Sequence, residues 1–268
     1  MIAEARSPPV VRDVHFSYSA MSLYLMCPLR YMFRYLEGLP EDTISASLVC
    51  GSGIHSALQL HFTELLCGNP PPSLDLLLDA FWEPWRSLAS VQVRFNKGED
   101  INDIGQLAER VLRAFQASEL ARPQGTIIGV EEPVRGELVP GVPDLVGRID
   151  LLVETDEALI LTDFKSARSA WSPDHVEDAG NQLLIYGELA RPLASGKQLR
   201  LEFAVLTKGK VPEVSIHPVE ADAHRIDRTK RVVENVWKSI ADGRFYPVPS
   251  PMNCPTCPYR VPCRAWTG

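Results

Sequence analysis

Apolar positions at helical spacing dominate the first 120 residues. Residues 19–36 predict a helix opened by Ser19 and closed before Gly38 and Pro40. Its aromatic run (Tyr24, Tyr31, Phe33, Tyr35) suits core packing. A second helix at 52–66 puts Ile54, Leu58, Phe62 and Leu65 on one face. The breaker Cys-Gly-Asn-Pro-Pro-Pro-Ser at 67–73 follows, then helices near 74–88 and 103–120. The second of these carries Ile104, Leu107, Val111 and Phe115 at helical spacing. From residue 126 the period shortens to two, predicting strands at 126–131, 134–139, 144–154 and 158–165. A helix at 178–190, strands at 199–207 and 212–219, and a long helix at 221–242 complete the pattern. This order describes a helical lobe, a mostly antiparallel sheet interrupted by one helix, and a cysteine-bearing tail, an α/β or α+β chain.

Composition narrows the class. With 268 residues, 45% hydrophobic and 23% charged, the chain can bury a sizeable core and is not a disordered one. No apolar run reaches transmembrane length and Met1–Pro9 lacks a signal-peptide core, which predicts a soluble, cytoplasmic protein with no membrane partner. A net charge of −7 argues against coating nucleic acid by bulk electrostatics. It leaves room for a local basic groove, and from Lys197 to Arg244 ten Lys and Arg outnumber seven Asp and Glu.

The segment from Gly147 to Lys165 carries the most chemistry. Two apolar β runs flank the polar turn Thr155-Asp156-Glu157, reading as a hairpin that sets Asp150 opposite Asp163. Directly opposed residues have Cβ atoms about 4.5–5.5 Å apart. Alternation adds Lys165 to the Asp163 face. Two carboxylates this close repel unless a proton or cation lies between them, and Mg²⁺ or Mn²⁺ resolves the conflict. A solvated strand face with an Asp–Lys pair is the plainer reading, weakened by the surrounding Leu151, Leu152, Ile160, Leu161 and Phe164. His55, near a helix start, and Gln182 with Tyr186, one turn apart, are weak signals alone.

The cysteines are unevenly placed. Cys254, Cys257 and Cys263 crowd the tail among Pro255, Pro258 and Pro262, and Cys27 sits in a similar Cys-Pro step with Pro28. In a reducing compartment these four read as metal ligands rather than disulfides. Spacing leaves zinc and an iron–sulfur cluster both open. Cys50 and Cys67 lack partners at ligand spacing and read as ordinary residues.

Together these motifs resemble the PD-(D/E)XK nuclease superfamily. The closest likeness is to its RecB-like and AddB-like iron–sulfur branch, which includes the CRISPR-associated adaptation nucleases. The family's Gly-x-x-x-His, Gly-x-x-Asp, Asp-x-Lys and Gln-x-x-x-Tyr elements match Gly51–His55, Gly147–Asp150, Asp163–Lys165 and Gln182–Tyr186 in order. One cysteine precedes this core and three follow it, so the resemblance runs from Cys27 to Cys263.

It implies a restriction-endonuclease-like core, a central mixed sheet flanked by helices. The expected segments are an N-terminal helical lobe (1–125), the nuclease core (126–245) and a C-terminal cysteine loop (246–268) closing onto the lobe. His55, Asp150, Asp163 and the Phe164 backbone carbonyl would hold the Mg²⁺ or Mn²⁺. Lys165 would orient or activate the attacking water, and Gln182 and Tyr186 would position the strand. The resemblance favours a 4Fe–4S cluster on Cys27, Cys254, Cys257 and Cys263 over zinc. Asp144, despite its literal Pro143-Asp144, lies about 20 Å along an extended strand from Asp150 and cannot share its site.

The implied function is a metal-dependent deoxyribonuclease, an exonuclease on single-stranded DNA or DNA ends. Its place would be recombination, repair or CRISPR adaptation, beside a helicase, recombinase or CRISPR integrase. Arg30, Arg34, Lys208, Lys210, Arg228, Lys230 and Arg231 would line the DNA path, with Tyr31 stacking on bases. The competing class is a non-catalytic DNA-binding or adaptor subunit with a Cys₄ clamp. A binding module, however, has no reason to hold repelling carboxylates together.

Overall fold

A computed structural model of the chain describes residues 16–88 and 91–268. Residues 1–9, where the sequence shows no signal-peptide core, lie outside them. In chain order the elements are β1 (Phe16–Ser17), α1 (Tyr18–Met26), α2 (Pro28–Tyr31), β2 (Thr43–Ser45), α3 (Ala46–Leu66), α4 (Leu74–Arg86), β3 (Gln92–Arg94) and α5 (Ile101–Ala117). Then come β4 (Thr126–Gly136), β5 (Leu145–Glu154), β6 (Ala158–Ala167), α6 (Pro173–Ala179), α7 (Asn181–Ala190), β7 (Gln198–Thr207), β8 (Val214–Val219), α8 (Ala223–Ala241) and α9 (Arg260–Ala265). Among the described residues no helix is long and apolar enough to cross a membrane.

The chain forms two compact units. The larger holds residues 42–134 and 147–226; the other holds the chain up to Glu41, residues 135–146 and residues 227–268. The helices expected as a separate lobe therefore share a unit with most of the sheet. The N-terminal helices share theirs with the cysteine tail.

In the larger unit β5 and β6 form the expected hairpin, with Leu151 opposite Thr162 and Glu154 opposite Leu159. Its turn is closed by the Thr155 N–H on the Ala158 carbonyl at 2.8 Å. β6 and β7 run parallel and β7 and β8 antiparallel. A parallel pair needs a crossover, which α6 and α7 supply, so the sheet is mixed rather than mostly antiparallel. β4 pairs with β5. It is one strand, not two, because the chain stays extended through a single irregular residue, Glu131, whose φ is +53°.

α3 starts six residues earlier than its apolar pattern, where the Ser45 hydroxyl accepts the Leu48 N–H at 3.2 Å as a cap. Gly53 on this helix serves packing: a Cβ there would fall 2.5 Å from the Phe81 carbonyl oxygen of α4. α5 opens with the Asp100–Asp103 capping box. Its Val111, Leu112 and Phe115 are fully buried with Ile54, Leu58 and Phe62 of α3. Phe62 stacks on Phe164 of β6 at 5.5 Å, tying the helices to the strand that carries Asp163.

The smaller unit shows why the first helix breaks. Pro28 disfavours helical backbone at the preceding residue, and Cys27 is extended at φ −164° and ψ 104°. Pro28 then restarts the chain as the first residue of α2. Cys27 is thereby set in a kink between two helices.

Candidate active site

Continuing the hairpin register one step from Leu151 and Thr162 puts Asp150 opposite Asp163. Both are buried, at 8% and 3% exposure. The Asp150 Oδ2 accepts the Phe164 N–H at 2.6 Å and lies 3.6 Å from His55 Nδ1 on α3. Gly51 lets α3 come this near, since a Cβ there would meet Ser166 Oγ of β6 at 3.2 Å.

Lys165 is fixed from two sides. Its Nζ lies 2.6 Å from Asp163 Oδ2 and donates to Gln182 Oε1 on α7 at 2.9 Å. The Asp163 contact has a counter-charge's distance without a hydrogen bond's geometry, so Asp163 Oδ2 is left as a buried acceptor without a donor. Tyr186, one turn beyond Gln182, packs its ring onto the backbone of Gly147. A Cβ on Gly147 would stand 2.3 Å from Tyr186 Cε1. The Gly-x-x-Asp and Gln-x-x-x-Tyr motifs are thus two halves of one contact.

One site residue escaped the sequence pattern. Glu131, Asp150 and His55 each offer a ligand atom within 4.8 Å of the other two, and among the described residues they are the group that does so. Asp163 was expected in that set and is instead drawn to Lys165. Glu131 reaches the site from its positive-φ kink in β4, with Arg148 3.5 Å away. A strained residue persists where its surroundings over-determine it, commonly at functional sites. The visible signal was an acidic pair, Glu131-Glu132, between apolar residues; it read as a turn because its partners lie on other elements.

Burial sets the electrostatics. The Asp150 carboxyl is pushed well above the usual range, first by burial and then by the facing Asp163, against the Phe164 N–H. Burial raises Glu131 too, opposed by Arg148. It lowers His55, leaving an imidazole with a free lone pair near neutral pH. One imidazole, the buried Asp150 carboxylate and the half-buried Glu131 carboxylate, beside an unsatisfied Asp163 oxygen, are a donor set that fits an oxygen-preferring divalent cation.

His55, Glu131, Asp150, Phe164 and Lys165 line an open groove of about 730 Å³. Ser45, Ser47, Ser52 and Lys208 line the same groove. Lys208 donates to Ser47 Oγ at 3.2 Å, and burial lowers its pKa. Lys210 is exposed just past β7. The other residues expected along a DNA path fall in the smaller unit. There Arg34 pairs with Glu41 at 3.2 Å, Arg30 contacts Met26 Sδ at 3.9 Å, and α8 carries Arg228, Lys230 and Arg231. Tyr31 corrects an expectation outright. It is fully buried, stacked on Phe245 and packed against Tyr24 and Tyr35, so its ring is not available to a base. Asp144 also lies in the smaller unit, paired with Arg135 at 2.9 Å.

The four cysteines gather in that unit as well. Cys27 sits in the helix break, Cys254 opens a 3₁₀ turn, and Cys263 lies on α9. Cys27, Cys257 and Cys263 pack against Leu29, Phe33 and Tyr259. Cys254 Sγ accepts the Ser250 N–H at 3.2 Å. Burial raises the Cys263 thiol, and Cys27, Cys257 and Cys254 raise it further. All six cysteines are free, Cys50 buried and Cys67 exposed.

A mixed sheet flanked by helices thus carries the buried Asp150 and Asp163, with Lys165 beside them at the groove. Residues 15–264 match the PD-(D/E)XK nuclease superfamily, and the chain belongs to it. None of the curated proteins matches. Among solved structures, a candidate exonuclease from Eubacterium rectale is similar at 17% identity, covering 95% of this chain and 88% of that one, with a TM-score of 0.56. The protein SSO0001 covers 93% of this chain and 94% of its own at 15% identity, with a TM-score of 0.37. The first likeness bears on the fold; the second is too distant to carry more.

Proposed function

We propose that the protein is a divalent-cation-dependent deoxyribonuclease, an exonuclease on single-stranded DNA or DNA ends. The observation that carries this reading is the convergence of His55, Glu131, Asp150 and Lys165 on one groove, with Asp163 buried against Lys165, in a nuclease-superfamily chain. Mg²⁺ or Mn²⁺ held there would supply Lewis acidity and a more acidic bound water.

The chain's own residues do the rest. His55 and Asp150 offer neighbouring nitrogen and oxygen donors, with Glu131 and the Phe164 carbonyl completing the set. A lysine ammonium has three donors. The Asp163 contact and the Gln182 bond fix the Lys165 amine, leaving a donor for the attacking water or a phosphate oxygen. Positive charge aimed where the phosphate becomes more negative lowers the barrier without reorganisation. Tyr186, seated on Gly147, holds α7 and therefore Gln182 in register with β5 and β6. Lys208 and the serines of the same groove would receive the neighbouring phosphates.

The gathering of Cys27, Cys254, Cys257 and Cys263 supports a structural 4Fe–4S cluster and the RecB-like, AddB-like branch, with a role in recombination, repair or CRISPR adaptation. A helicase, recombinase or CRISPR integrase is the corresponding partner class. The exonuclease assignment is tested with linear and circular single-stranded DNA in Mg²⁺ or Mn²⁺. Linear strands should disappear while circles persist; equal loss of circles refutes the exonuclease reading.

A further inference from the structure

An aromatic cluster beside the catalytic lysine has no part in the chemistry above. Phe203 of β7 lies beside Asp163 in the parallel register, and His217 of β8 lies opposite Phe203. The three side chains therefore share one face of the sheet. Phe203 is the ring beneath Lys165, with Nζ 5.6 Å from its centroid. Trp171, in the loop between β6 and α6, stands edge-on to Phe203 at 5.1 Å. Its other neighbour is His175, stacked at 4.3 Å with the planes 11° apart. The stack is held in place by the His175 N–H donating to Ser172 Oγ at 3.2 Å.

Trp171 is half-buried and His175 exposed. Trp171 borders a pocket of about 570 Å³ that also takes in His217, Glu177, Glu220, Asp222 and Arg225, whose guanidinium donates to the Glu220 and Glu177 carbonyls at 2.7 and 3.1 Å. That volume lies within the range of small-ligand sites. Its chemistry sorts the parts of a nucleotide. With Arg225 tied to those carbonyls, three carboxylates against one guanidinium leave the rim net acidic, which disfavours a phosphate there and favours the backbone on the Lys165 and Lys208 side. A neutral base can stack on the aromatic rings, and its exocyclic amino group can donate to a carboxylate.

We propose that Trp171 and His175 form a base-stacking subsite for the nucleotide next to the scissile phosphate, with the acidic rim favouring an amino-bearing base over thymine. The subsite rests on the nuclease reading of the groove. Two contacts link Trp171 to Lys165 through Phe203, so the loop that follows the Asp-x-Lys strand positions both. The buried Tyr31, expected to stack on bases, is replaced in that role by Trp171 and His175, 140 and 144 positions further along the chain.

The test is anisotropy of labelled single strands in an Asp163→Asn background, which removes cleavage. Stacking on one aromatic residue is worth about 1–3 kcal/mol per base, so Trp171→Leu should weaken binding by between about five- and a hundred-fold. Trp171→Phe should stay within a few-fold. An abasic site walked along the strand should cost the Trp171 protein most at one position, and cytosine there should bind more tightly than thymine. In the Trp171→Leu protein that position should lose its sensitivity. Should Trp171→Leu fail to fold, the abasic and cytosine-to-thymine comparisons on the Trp171 protein still decide. Unchanged binding by Trp171→Leu, no sensitive position, or equal binding of cytosine and thymine overturns the subsite. A protein that neither binds nor cuts any strand in Mg²⁺ or Mn²⁺ overturns the nuclease reading itself.

Discussion

Gly147→Ala isolates the contact that joins two of the site's motifs. The added Cβ would lie 2.3, 2.8 and 3.0 Å from Cε1, Cζ and Cδ1 of Tyr186. Ordinary carbon contacts begin near 3.4 Å, so the ring must retreat by about an ångström. It has little room: Tyr186 is buried, and Leu183, Leu184 and Ile185 beside it on α7 are buried too. Overpacking of this kind costs about 1–3 kcal/mol, or roughly 2–12 °C in Tm for a chain of this size. No positive φ is involved, so the whole effect is steric and should vanish with the ring. Thermal melts of wild type, Gly147→Ala, Tyr186→Ala and the double variant measure this as a cycle. Gly147→Ala should cost under about 0.5 kcal/mol in the Tyr186→Ala background, giving a coupling of about 1–3 kcal/mol. Additive losses would refute the account of why that glycine is there. Because a shifted α7 pulls Gln182 from Lys165, cleavage should fall with Tm in Gly147→Ala.

Three further outcomes follow from the site and the cysteines. The raised Asp150 carboxyl holds its proton more tightly folded than unfolded. Its contribution to the metal-free protein is therefore full below about pH 4 and is lost as pH rises through the raised folded value. Asp150→Asn should accordingly melt above metal-free wild type at neutral pH, with the gap closing in acid; a lower neutral-pH Tm contradicts the burial argument. Glu131→Gly relieves the positive φ, worth about 1–3 kcal/mol, whereas Glu131→Gln keeps it. By calorimetry both should weaken Mn²⁺ binding while the glycine variant melts higher; unaltered Mn²⁺ affinity removes Glu131 from the site. Anaerobically purified protein should be brown with broad visible absorbance, lost in Cys254→Ser, and colourless protein with stoichiometric zinc would overturn the cluster.

What the sequence made legible was local. The Asp150–Asp163 register followed from strand alternation and one short turn, both read within nineteen residues. α5 was legible because Ile104, Val111 and Phe115 keep a clean helical period. Features set by distant partners were not. The apolar pattern puts the start of α3 six residues late, and the packing roles of Gly51 and Gly53, which let β6 and α4 approach, depend on those partners. Tyr31 looked available because its covering ring, Phe245, lies more than two hundred residues away. Glu131 stayed hidden because its meaning depends on a backbone angle and on residues from α3 and β5. The grouping of residues 42–134 with the sheet is likewise a matter of packing that periodicity does not encode.

The central claim is that Asp163 and its neighbours form a cation-dependent cleavage site. The most direct measurement is digestion of end-labelled single- and double-stranded DNA in Mg²⁺ and Mn²⁺ by wild type and by Asp163→Ala. Wild type should cleave in either cation and stop in EDTA, and a folded Asp163→Ala should leave both substrates intact. Cleavage retained by a clean Asp163→Ala preparation contradicts the account.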